Sequence, residues 1–129
     1  MIEEKQYITF ETAKLAKEKK VHIEGCCEVY SQEGGAARTP NGGKWNWEEY
    51  DKSEFCLRPT QSLLARWIRE KHNIHIDSYH NASGYLYYIN KTNGTLVYDS
   101  DSDGPNDGGA WNSYKEAMES GLQEALKII

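Results

Sequence analysis

Asn93-Gly94 stands between two runs of alternating apolar and polar residues, 84–91 and 95–99, and no other feature restricts the fold as tightly. Asn-Gly favours the positive backbone angles of a two-residue turn, so the two runs are predicted to form an antiparallel hairpin. In that register Thr92 opposes Thr95, Asn90 opposes Val97 and Tyr88 opposes Asp99. One face then carries Tyr85, Tyr87, Ile89, Leu96 and Tyr98, and this face is assigned to the core. Tyrosines are needed there because Leu, Ile, Val and Phe supply only 22 of 129 residues, a share typical of disordered chains. Aromatics at 12% and a net charge of only −5 place this chain among those that fold.

Three helices flank the strands. Ser113 and Glu116 form a capping box, and Tyr114, Ala117, Met118, Leu122, Ala125, Leu126 and Ile129 follow at helical spacing. Gly121 lies inside that apolar stripe, where close approach of another element is its expected use. A second helix begins after Pro59 with Thr60 as cap, buries Leu63, Leu64, Trp67 and Ile68, and stops at His72-Asn73. The first runs from Phe10 to about Lys19, capped by Thr9. Val21, Ile23, Cys27 and Val29 alternate with polar residues, as do Ile74 and Ile76, which predicts two further strands. Within 31–59, short strands are expected near 45–49 and 54–57, with 34–43 mobile. The fold predicted is α+β: one domain over 1–129, with an antiparallel sheet of four to five strands and three helices mostly on one face. Its loops are a long Gly- and Trp-containing one at 31–59 and an acidic one at 99–110.

Several functional classes are disfavoured. No run of about 18 apolar residues exists, so no membrane partner is expected. Residues 1–9 lack an apolar signal region, so the expected location is the cytoplasm, with Cys26, Cys27 and Cys56 as reduced thiols. Only 60–76 is basic, at +2, while 77–113 carries −4, and this distribution argues against general nucleic-acid binding. A free sheet edge invites pairing, which makes a homodimer one expected assembly.

Three blocks carry a resemblance: 8–19, 59–76 with Pro59-Thr60-Gln61-Ser62-Leu63-Leu64 and Trp67-Ile68-Arg69-Glu70, and 114–129 with Glu116-Ala117 and Gly121-Leu122-Gln123-Glu124. Together they cover about 46 residues, and the chain there resembles a family of short, uncharacterised proteins encoded by phages, prophages and mobile elements of gut bacteria. The family pattern has Gly after the first helix, where this chain has Lys20, and it lacks the Asp-rich loop. The resemblance implies a phage-type origin and an α+β fold, and supplies no catalytic residue.

The leading candidate site combines aromatic and cationic residues. Trp45, Trp47 and Tyr50 suit stacking on a planar base, while Lys44, Arg66 and Arg69 suit a phosphate, with His75 beside them. The competing reading is that these tryptophans staple the long loop to the sheet. Zinc ligation by His72, His75, His80 and the cysteines lacks any Cys-x-x-Cys or His-x-x-x-His pair, so no metal or other cofactor is expected. A nucleophilic set of Cys26, His75 and Asp77 lacks an oxyanion signature. The sequence reading is therefore a small non-enzymatic accessory protein that binds or sequesters a small anionic ligand, such as a nucleotide signal of host defence. The alternatives are an adaptor or inhibitor of a host enzyme, and a small hydrolase around His75.

Asp99, Asp101 and Asp103 with Gly104 copy four positions of a Ca²⁺ loop, but Ala110 stands where the bidentate Glu belongs. Losing two oxygens from the shell puts any affinity at about 10⁻⁴–10⁻³ M. Calorimetry is expected to show no micromolar Ca²⁺ binding. A micromolar isotherm abolished by Asp101→Ala would overturn this.

Overall fold

In the computed structural model, residues 6–39, 42–100, 104–106 and 109–129 are described. The chain is α+β, with four helices and two three-stranded antiparallel sheets. It divides into two compact units, one ending at Thr60 and the other beginning at Gln61. The single sheet of four to five strands is thus corrected to two separate sheets. Asp101 and Asp103 lie outside the described residues. Among the described residues no helix is long and apolar enough to cross a membrane.

The first unit opens with α1, Phe10–Glu18, whose Thr9 cap accepts from the Thr12 N–H. Lys20 ends this segment at φ 59°, a left-handed conformation. Strands β1 (Glu28–Tyr30), β2 (Ala36–Arg38) and β3 (Cys56–Leu57) form a sheet in the order β2-β1-β3. The strand expected over 21–29 is reduced to its end. Val21 and Ile23 are buried, but Gly25 at φ 84° turns the chain before β1 starts. Residues 36–38, expected in a mobile stretch, pair with β1 instead.

A fourth helix, α2 (Trp47–Lys52), replaces the strand expected near 45–49. Asn46 caps it by accepting from the Glu49 N–H, Glu48 and Glu49 fill its first turn, and Lys52 its last. Each of these suits the helix dipole. Arg58 joins the ends of the unit, with its guanidinium 3.9 Å from the Tyr7 ring centre and 2.9 Å from Glu28 Oε2.

The second unit holds α3 (Gln61–His72), β4 (Ile74–Asn81), β5 (Gly84–Lys91), β6 (Leu96–Asp99) and α4 (Tyr114–Ile128). β5 is the central strand. The expected stop of α3 holds, since Asn73 takes φ 57° directly after His72. Its phase shifts by one position: Gln61, Leu64, Ala65 and Ile68 are buried, while Leu63 and Trp67 are half-buried. Gln61 explains the shift, because its Nε2 donates to the Lys115 carbonyl and to Glu119 Oε1, both at 2.9 Å.

The hairpin forms where predicted, but with a longer turn. The Lys91 N–H donates to the Thr95 carbonyl and the Gly94 N–H to the Lys91 carbonyl, with only Gly94 at positive φ, +95°. This is a three-residue loop closed by a left-handed glycine, and it shifts the ladder by one residue at Ile89/Asn90. Tyr88 opposes Asp99 as expected, whereas Asn90 opposes Leu96 in place of Val97. Leu96, assigned to the core, is 58% exposed, because the shift moves it off the buried face. Tyr87 and Ile89 are buried as expected.

α4 packs on β4 and β5, with the Ser113 cap accepting from the Glu116 N–H. A Cβ at Gly121 would lie 3.0 Å from Ile76 Cγ2 and from the Tyr87 ring. Overpacking of this kind costs about 1–3 kcal/mol, against about 1 kcal/mol gained in helix propensity. Gly121→Ala is therefore expected to destabilise by up to about 2 kcal/mol, read as a lower urea midpoint at unchanged slope. An unchanged or higher midpoint would show that α4 can move away from the sheet.

Candidate ligand-binding site

Three backbone events build a concave site in the second unit. α3 ends in a left-handed Asn73 whose N–H donates to the Arg69 carbonyl at 3.0 Å. The Thr92 N–H, just past β5, donates to the Asn73 carbonyl at 2.9 Å. β4 starts at Ile74 and pairs with β5, so that His75 lies directly opposite Asn90. Helix end, strand start and hairpin turn thereby meet. Between them lies a cavity of about 270 Å³ lined by Arg69, His75, Asn90, Lys91, Thr92 and Gly94.

The cavity is basic and partly aromatic. Arg69 reaches it from α3 and Lys91 from β5, and neither forms an ion pair among the described residues. Arg69, in the last turn, also complements the negative end of the helix dipole, whereas Lys91 belongs to a different element and adds its charge independently. The His75 ring packs 6.2 Å from that of Tyr88. Asn90 Oδ1 is buried and has no hydrogen-bond partner among the described residues.

Of the seven residues proposed from sequence, Arg69 and His75 thus share one cavity. Arg66 is exposed and tied to its own helix by Glu70, at 3.0 Å. Lys44, Trp45, Trp47 and Tyr50 belong to the first unit. There Trp47 stacks on His22 with ring centres 4.5 Å apart and planes 4° from parallel. Trp45 lies 6.1 Å from Trp47, and Tyr50 meets both edge-on. Both indole N–H groups donate within the chain, from Trp45 to the Cys26 carbonyl at 2.7 Å and from Trp47 to Glu24 Oε1 at 2.8 Å. Tyr50 is buried, its hydroxyl accepts from the Leu57 N–H, and burial pushes its phenol well up. These bonds tie 45–50 to 22–26 and to β3, as a stapling role requires. Lys44 is exposed next to them.

Among the described residues no three His, Cys, Asp or Glu side chains converge to hold a metal. Asp99 Oδ1 accepts from the Tyr79 hydroxyl at 3.0 Å. The Cys26 thiol is buried and donates to the Glu28 carbonyl, and its burial pushes it up, which favours the unreactive protonated form. Asp77 Oδ1 accepts from the Ser78 N–H and the Tyr114 hydroxyl.

Sequence reasoning missed Asn90, Lys91, Thr92 and Gly94 as cavity residues, although the Asn-Gly turn marked their neighbourhood. It also missed His22 and Asp51 beneath the tryptophans, for which no local signal exists. No family model matches the chain, and no curated protein or solved structure is significantly similar to it.

Asp51 ties this aromatic cluster to charge, with His22 Nε2 at 2.8 Å from Oδ1 and Lys20 Nζ at 3.4 Å from Oδ2. Desolvation pushes its carboxyl up, but the His22 hydrogen bond and the His22 and Lys20 charges outweigh it and hold it below the usual range. A depressed folded value means that the pair stabilises above the unfolded carboxylate range, about pH 4, and that this share is lost as pH falls through the folded value. Asp51→Asn is expected to cost up to about 1 kcal/mol at pH 7 and less at pH 3. Urea midpoints of both proteins at the two pH values check this. An equal gap at both would show that Asp51 acts through packing alone.

Proposed function

We propose that the chain is a small non-enzymatic binding protein that captures a small anionic ligand of nucleotide type in the cavity of its second unit. The observation that carries this reading is the pairing of Arg69 and Lys91, cations from a helix and a hairpin, around a space walled by His75 and Asn90. A planar guanidinium grips a phosphate through two parallel hydrogen bonds, and Lys adds a point charge. At about 270 Å³ the cavity lies near the small end of ligand pockets, so the ligand is of mononucleotide size. Sequestration of such a signal, in a phage-type setting, is the role that fits. In support of that setting, Lys20 holds a left-handed φ of 59° at the position where the resembled family carries Gly, the residue that adopts this angle freely.

A protein-binding adaptor is the second reading. It rests on Leu96 and Val97, 58% and 40% exposed on edge strand β6.

A thermal-shift panel of nucleoside monophosphates and of cyclic and linear dinucleotides tests the first reading. At ligand concentrations near 100 times Kd the expected stabilisation is about 2.7 kcal/mol, a shift of several degrees. Arg69→Ala is expected to weaken binding by about tenfold or more, and Lys91→Ala somewhat less. No shift with any compound, or shifts as large as wild type in a variant carrying both Arg69→Ala and Lys91→Ala, would remove the anion-binding reading and leave the adaptor one.

A further inference from the structure

We infer that the cavity reads a hydrogen-bonding edge of its ligand through Asn90, so that the ligand is an amino-bearing nucleobase joined to a phosphate. This rests on the anion-binding reading above and adds to it the identity of the other end of the molecule.

Three features meet at Asn90. Its Oδ1 is a buried acceptor with no partner among the described residues, and such a group costs about 1–3 kcal/mol. Native folds retain few of them. Asn is also a poor strand former, yet it occupies the central strand between Ile89 and Lys91, where a β-branched residue would be more stable. Finally, the register shift of the β5–β6 ladder falls at Ile89/Asn90, and bulges of this kind re-aim side chains beside functional sites. One position thus carries an unpaired carbonyl, an unfavourable residue type and a local distortion, in the wall of a cavity bearing two cations.

A bound ligand removes the first of these costs. Oδ1 holds no hydrogen bond, and the terminal torsion of Asn is broad, so turning the amide toward the cavity breaks nothing at that atom. The amide then presents an acceptor beside a donor. Its complement is a ring nitrogen next to an exocyclic amine, the edge that Asn pairs with on adenine through two hydrogen bonds. Arg69 and Lys91 hold the phosphate, and His75, directly across from Asn90, supplies an aromatic wall.

Adenosine 5′-monophosphate and purine riboside 5′-monophosphate differ only in the 6-amino group, and ribose 5-phosphate lacks the base. Calorimetry on the full chain is expected to rank the first over the second by about fivefold or more, with ribose 5-phosphate weaker still. Asn90→Leu is expected to abolish the preference between the two nucleotides while phosphate-dependent binding persists. Asn90→Thr, suited to a strand, is expected to lose the same preference and to melt higher than wild type without ligand. Wild type binding all three phosphates equally would overturn the Asn90 inference and leave the anion-binding reading intact. No binding of any of the three would overturn both. A folded Asn90→Thr that keeps the preference, or that melts lower than wild type, would assign Asn90 to the fold alone.

Discussion

The second unit depends on how closely α4 lies on its sheet. Gly121 leaves room for Ile76 and the Tyr87 ring, which a Cβ there would crowd at 3.0 Å. That contact decides which way β5 faces. Because successive strand residues point to opposite sides, holding Tyr87 and Ile89 against the helix turns Asn90 away from it. Asn90 carries His75 with it, since the two are directly paired across the ladder. A close approach of backbone to ring thus determines which side chains reach the cavity.

Several polar groups buried in this unit are tied down in the same frame. Ser100 is fully buried, donates its N–H to the Tyr87 carbonyl and accepts from the Tyr87 N–H through its hydroxyl. Tyr85 and Trp111 exchange two backbone hydrogen bonds, at 2.9 and 2.8 Å, which tie the residue preceding the α4 cap segment to the start of β5. Gln61 bridges to α4 by donating to Lys115 and Glu119. Among the described residues of this unit, two buried side-chain oxygens have no partner, Gln61 Oε1 and Asn90 Oδ1, and of these only Asn90 stands in the cavity wall.

In the first unit the aromatic residues do the work that aliphatics do elsewhere. Trp47 and Tyr50 pack on His22, Trp45 packs on both, and the indole N–H groups and the Tyr50 hydroxyl each meet a partner in the same unit. Rings with one polar edge can close a glycine-rich stretch over a small sheet because they bury large area while spending their single hydrogen bond inward. This accounts for a chain with few aliphatic residues holding a folded N-terminal half.

Much of the local structure was legible from residues near one another in the chain. Thr9 and Ser113 as caps, Asn73 as the stop of α3, the Asn93-Gly94 hairpin and the close-packing role of Gly121 all express backbone hydrogen bonding or steric limits within a few positions. Asn46, Glu48, Glu49 and Lys52 signalled α2 by the same rules, though the aromatic run around them reads as a strand. What the sequence did not reveal depends on distant partners. The separation into two sheets, the one-residue shift that exposes Leu96, the Trp47–His22 stack and the meeting of Arg69, His75 and Asn90 were decided only by tertiary structure. Each joins segments whose spacing along the chain carries no period, and only the packing of helix on sheet and the register of β4 on β5 bring them together.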